Sequence, residues 1–204
     1  MLDTKIFSKV KKSLAITNKP VKFDNAQKLA NEIDIKKDSS NFILLSGNFI
    51  FGDFIEALII KNNWNVLELT ISTLSADQNN ISSLQTLLLK DYCQKLNLIL
   101  STYFFGFNKN QVYKFAQEEL DLEKTTISIC DTHCKIVLLR TECGKKIIID
   151  GSANLPSSNN LEQIRIEENE ELYDFNYIFQ EEIIKMYNFV KKPIRGKNLF
   201  NQLF

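Results

Sequence analysis

The sequence predicts an α/β fold, a mixed, mostly parallel sheet sandwiched by helices. Apolar, β-branched runs alternate with segments of helical period from Phe42 onward, the pattern of a sheet covered on both faces. The composition is that of a soluble globule able to bury a core, with 44% hydrophobic and 25% charged residues in a chain of 204. Late in the chain, two apolar runs flank a turn signal, which adds a hairpin to the alternation.

The elements follow in order. Asp24 and Asn25 can cap a helix (NAQKLANEI) after a polar lead. Phe42 to Ser46 (FILLS) reads as a first buried strand closed by Gly47, and Gly52-Asp53 opens an apolar helix (FIEALIIKN). Then come a strand over Val66 to Ile71, a helix over Ile81 to Leu96, a strand over Leu98 to Thr102 and a helix over Asn110 to Leu120. Thr125 to Arg140 is rich in β-branched and apolar residues and reads as one or two buried strands. Glu142-Cys143-Gly144-Lys145 is a turn, and Lys146 to Asp150 the return strand. The stretch from Leu172 to Val190 is too aromatic along one stripe for a free surface helix; it is expected to pack on the sheet, with part of the stripe spared for a partner chain. Ala76 to Asn80 and Pro156 to Asn160 read as mobile loops.

This divides the chain into a polar N-terminal extension with one helix (1–40), an α/β domain (41–192) and a basic C-terminal tail (193–204), without internal repeats. The formal net charge is zero, so attraction to a polyanion must be local. Lysines cluster at Lys5, Lys9, Lys11 and Lys12 and again at Lys191, Lys192 and Lys197 with Arg195, opposite in sign to Glu167, Glu168, Glu170 and Glu171. Such runs are solvated faces or, alternatively, a nucleic-acid track. The N-terminus does not resemble a signal peptide, and no apolar run approaches the ~20 residues of a span, so a cytoplasmic protein is expected, with no membrane partner. Cys93, Cys130, Cys134 and Cys143 then read as reduced thiols. The spacing around His133 is poor for zinc, because Cys130 and Cys134 lack the two-residue knuckle.

The chain has one histidine, His133. If Thr125 to Arg140 is regular strand, His133, Lys135 and Val137 share one face, so imidazole and ammonium point the same way. Beyond the hairpin stands Gly151-Ser152-Ala153-Asn154, where the glycine lets the chain bend and Ser152 and Asn154 share a face if it stays extended. Histidine, lysine, serine and asparagine at one end of a hairpin suit the oxygens of a phosphate.

His133-Cys134-Lys135, then Gly151-Ser152-Ala153-Asn154, then Asn160-Leu161-Glu162 resembles the HxK, GSxN and N-x-E pattern of the phospholipase D superfamily, over roughly Phe42 to Val190. The resemblance implies a phospholipase D-like fold and a metal-independent phosphodiesterase, most simply a nuclease. His133 would be the nucleophile and form a phosphohistidine, while Lys135 and Asn154, with Ser152 and Glu162, complete the site. No cofactor is implied. The family mechanism uses two histidines and this chain has one, so a homodimer contributing one His133 from each copy is expected, with nucleic acid as substrate. In the stretch where the family carries an aspartate, Ile136 to Thr141, this chain has Arg140; Asp131, on the predicted face of His133, is a candidate for part of that work.

Simpler readings stand beside these. A lone histidine can be a structural residue, Ser152 and Asn154 can be ordinary turn chemistry, and Glu162 can be a solvated residue of the alternating run EQIRIE. A catalytically inactive nucleic-acid-binding or assembly protein on the same fold is the alternative to an enzyme.

Overall fold

The computed structural model describes residues 26–37, 39–45, 49–102, 110–156 and 160–187. The terminal lysine clusters and the proposed cap at Asp24 and Asn25 lie outside them. Seven strands, β1 (Ser40–Leu45), β2 (Val66–Thr73), β3 (Leu96–Ser101), β4 (Thr125–Cys130), β5 (Ile136–Thr141), β6 (Lys146–Gly151) and β7 (Glu162–Glu168), form one sheet in the order β1-β7-β6-β5-β2-β3-β4. The helices are α1 (Ala26–Glu32), α2 (Phe51–Lys61), α3 (Gln78–Leu89), α4 (Asn110–Glu119) and α5 (Glu170–Met186).

The sheet is mixed, as expected, but its parallel neighbours are confined to β2, β3 and β4; the other four pairings are antiparallel. The reason is connection length. Helical crossovers join β2, β3 and β4, whereas the Glu142–Lys145 turn, with Gly144 at φ +85°, is short enough only for an antiparallel return. Five strands still run one way, with β5 and β7 opposed. The ends of β1, β2, β3, β4 and β6 and the starts of β5 and β7 therefore lie on one rim.

Alternation sorts each strand between two faces. Leu69 and Ile71, Leu98 and Leu100, Ile147 and Ile149, and Ile164 and Ile166 join Phe54, Ile55, Leu58 and Leu88 in the main core. Each of these large side chains contributes about 1.5–3 kcal/mol by leaving water. Leu29, Ala30 and Ile33 also enter this core, and Lys61 Nζ donates to the Ile33 carbonyl at 3.1 Å, so α1 packs as part of the domain.

Two sequence expectations shift. The segment around Ala76 to Asn80 is a capping box: Asp77 accepts from Asn80 N at 2.9 Å and Asn80 Oδ1 accepts from Asp77 N at 3.0 Å. The helix expected to reach Leu96 stops at Leu89, because the left-handed Asp91 (φ +56°) turns the chain and Leu96 already pairs with Leu69 and Thr125.

The opposite face is covered by α5, and not as the aromatic stripe suggests. Its buried residues are Tyr173, Asn176 and Gln180, over an apolar cluster of Leu138 and Ile148, while Phe175, Ile178 and Met186 face outward. Gln180 accepts from Ser72 Oγ at 3.1 Å. At the rim away from His133, Glu68, 2% exposed, accepts from Lys95 (2.6 Å), Asn97 (3.0 Å) and Arg140 (3.1 Å). Burial raises the pKa of Glu68, but the hydrogen bonds from Lys95 and Arg140 outweigh it, and the carboxyl titrates below its ordinary 4.5.

Arg140→Ala leaves a buried carboxylate short of a charged donor and is expected to lower stability by about 1–3 kcal/mol, read from the urea midpoint. Because the folded-state pKa of Glu68 is depressed, its contribution is present above the ordinary value of 4.5 and is lost as pH falls through the folded value. The stability advantage of wild type over Glu68→Gln should therefore shrink in acid.

Candidate functional site

The residues singled out in the sequence meet at the other rim. In the sheet, β3 and β2 separate β4 from β5, so the chain between them crosses three strand spacings, roughly 14 Å. Asp131 to Lys135 form this crossover and lie outside any strand, which corrects the expectation that His133 and Lys135 alternate along one. They converge nonetheless: Lys135 Nζ lies 3.1 Å from His133 Nδ1 and donates to the His133 carbonyl at 3.1 Å. His133 is exposed and Lys135 half-buried. Partial burial lowers the Lys135 pKa, and the nearby Glu162 carboxylate and Cys134 push it back up.

The second group comes from the chain between β6 and β7. Gly151 N donates to the Lys135 carbonyl at 3.3 Å, and Ser152 N to the Gln163 carbonyl at 2.9 Å, which sets the loop between β5 and β7. Only glycine fits at 151. A Cβ there would lie 2.1 Å from the Gln163 carbonyl oxygen and 2.8 Å from Ile164 Cα, both backbone atoms that cannot swing away. The Ser152 hydroxyl hydrogen-bonds the Glu162 carboxylate and accepts from Gln163 N at 3.0 Å. Glu162 is thus held at the start of β7, half-buried, with a partner across the loop.

Asn154 is half-buried beside Glu162, in a small recess walled by Leu45, Phe49 and Phe51. Its Oδ1 is buried without a partner among the described residues. The two ends of an amide differ only in which atom donates, so this side chain can meet either an acceptor or a donor on a bound group. Beyond it, the Leu155 carbonyl accepts from Gly52 N (3.1 Å) and Asn80 Nδ2 (3.2 Å). These anchors of the loop on α2 and α3 were missed in the sequence. The Asp77-to-Asn80 capping spacing was a readable sign of the α3 start, whereas Gly52 was legible only as a helix start and nothing local marked its contact with Leu155.

The structure thus brings together His133 with Lys135, and Ser152 and Asn154 with Glu162. It separates Arg140 from them. Val137 and Leu139 point to the main core, so Arg140 points to the α5 face, at the far rim, where it pairs with Glu68. Asp131 accepts from the Thr102 hydroxyl just past β3 and has no ion pair among the described residues. Of the cysteines, burial pushes Cys93 up to about 12 and Cys130 up to about 11, which makes them inert thiols, while Cys134 and Cys143 are exposed. Among the described residues no group of three or more histidine, cysteine, aspartate or glutamate side chains is placed to hold a metal ion, and no helix is long and apolar enough to cross a membrane.

No family model and no curated protein matches the chain. Solved structures do match in fold. A polyphosphate kinase from Porphyromonas gingivalis aligns with a TM-score of 0.54 at 12% identity over 76% of this chain, which spans only 27% of that larger protein. NucT from Helicobacter pylori aligns at 0.52 and 14% identity, over 73% of this chain and 98% of its own. Nuc from Salmonella typhimurium, described as a phospholipase D family member, aligns at 0.52 and 9% identity, over 74% and 99%. The chain thus adopts the phospholipase D fold, aligned over nearly the whole length of two of these structures, with His133, Lys135, Ser152 and Asn154 on the same rim of the sheet.

Proposed function

We propose that the protein is a metal-independent phosphodiesterase of the nuclease kind, with His133 as nucleophile. One observation carries this reading: Lys135 Nζ lies 3.1 Å from His133 Nδ1, on the rim where Ser152, Asn154 and Glu162 gather, in a fold shared with a phospholipase D family member. The half-buried Lys135 ammonium beside the imidazole supplies positive charge where phosphoryl oxygens would sit, next to the ring that would attack phosphorus. Attack by His133 on phosphorus breaks the bond to one ester oxygen, which leaves as an alcohol once protonated; water then cleaves the phosphohistidine and regenerates the imidazole. Lys135 and Asn154 hold the equatorial oxygens, and Glu162 orients Ser152.

Protonation of the leaving oxygen requires a second acid. The chain's only histidine cannot be both, so we assign that role to His133 of a second copy in a symmetric homodimer, the two imidazoles facing each other across one cleft. Nucleic acid is the substrate class this chemistry suits. The Arg140 ion pair supports activity over an inert scaffold, since the residue that departs from the family pattern is engaged with Glu68 at the far rim.

Hydrolysis of bis-p-nitrophenyl phosphate is expected to survive EDTA and to fall by at least ~10²–10⁴-fold in His133→Ala. Activity that vanishes in chelator and returns with Mg²⁺ or Zn²⁺ would overturn the reading. Lys135→Ala and Asn154→Ala should each lower turnover by ~10²–10³-fold and weaken binding of tungstate, with the fold intact by circular dichroism. Sedimentation should give a dimer at micromolar concentration; a monomer that is fully active would remove the composite site.

A further inference from the structure

We infer that Thr102 and Asp131 form a positioning pair that holds the His133 crossover in one conformation. The inference rests on the phosphodiesterase reading for its effect on rate, and on geometry alone for its effect on the imidazole.

The crossover has slack that packing does not remove. Between Cys130 and Ile136 the chain could extend to roughly 20 Å, against the roughly 14 Å it must span. Asp131, His133 and Cys134 are exposed, so hydrophobic burial does not choose their path. Polar ties do. Thr132 N donates to the Cys130 carbonyl at 2.9 Å, closing a three-residue turn with Asp131 at its centre. Cys134 N then donates to Thr132 Oγ1 at 3.1 Å, a local turn that bends the chain onward to Lys135.

These two bonds shape the crossover but do not fix it to the sheet. Its second half is fixed where Gly151 N reaches the Lys135 carbonyl. Its first half is fixed where the Thr102 hydroxyl, just past the end of β3, donates to the Asp131 carboxylate. Thr102 and Asp131 follow the last paired residues of β3 and β4, Ser101 and Cys130, so this bond pins the turn to the end of the sheet, two residues before the imidazole. A hydroxyl bonded to a carboxylate is among the stronger kinds of hydrogen bond, suited to hold an exposed loop against water. Its partners touch neither phosphorus nor leaving group, and both act through His133.

His133 is the chain's single histidine, so its imidazole gives one assignment-free signal set by NMR. Ring relaxation and bis-p-nitrophenyl phosphate kinetics are compared for the full-length wild type, Thr102→Val, Thr102→Ser and Asp131→Ala. Thr102→Val and Asp131→Ala are expected to give a mobile imidazole and to lower kcat by roughly 10- to 100-fold with KM unchanged, the scale of a small misplacement of a reacting group. Thr102→Ser, which keeps the hydroxyl, should restore both. Wild-type ring relaxation and kcat in Thr102→Val would overturn the pair. Should Asp131→Ala fail to fold, the Val and Ser variants, which differ in whether position 102 carries a hydroxyl, still decide. If the wild type hydrolyses no phosphodiester, the functional reading fails, and the imidazole relaxation decides the positioning pair by itself.

Discussion

The contact between β6 and β7 at Gly151 is the constraint from which the site is built. The Gln163 carbonyl sits where any side chain at 151 would have to go, so the two strands approach closely only with glycine there. That approach lets Ser152 N reach the same carbonyl and brings the Ser152 hydroxyl onto Glu162. It also lets Gly151 N bond Lys135, which links the GSxN loop to the His133 crossover. Residues up to twenty-nine positions apart thereby gather on one rim through backbone contacts rather than through attraction among their own charges.

The two rims are electrostatic opposites in construction. At one, Glu68 is buried and saturated by Lys95, Asn97 and Arg140, each hydrogen bond compensating for lost water. At the other, the Lys135 ammonium has a ring nitrogen and a carbonyl as its hydrogen-bond partners, and Asn154 has a buried oxygen without one among the described residues. A closed network stabilises, and an open one is available to a ligand. The sheet carries both because β5 runs from one rim to the other, so Arg140 serves the first although it is only five positions from Lys135.

Much of this was legible in the sequence, for physical reasons. The hairpin was visible because Gly144 marks the turn between two apolar runs, and the site because HxK, GSxN and N-x-E lie at spacings that a hairpin and a loop can close. The path of residues 131–135 was not legible: THCK continues the polarity of a strand, and only the sheet order, with β5 placed three positions from β4, turns it into a crossover. The end of α3 was hidden because LLLKDYCQKLNLIL is apolar on either period, and the left-handed Asp91 is a conformation that aspartate tolerates without demanding. That α5 packs on the sheet was legible from its aromatic stripe, but its polar contacts were not, because the sheet beneath it offers Glu68, Thr70, Ser72 and Asn97, toward which Asn176 and Gln180 turn.

That polar layer has a consequence for how the protein can be improved. Asn97 and Ser128 lie on the α5 face, since their strand neighbours Leu96, Leu98, Ile127 and Ile129 point to the main core. Among the described residues, Asn97 Oδ1, Ser128 Oγ and Gln180 Nε2 are buried there without a partner. A buried polar atom without a partner costs more than the apolar atom that could replace it, so evolution has left stability unclaimed behind the sheet. The layer is a reserve for engineering: Ser128→Ala removes a hydroxyl that has no partner among the described residues, at nearly constant shape, on the face that carries no residue of the candidate site. The chemistry at one rim and the robustness of the fold can therefore be adjusted independently.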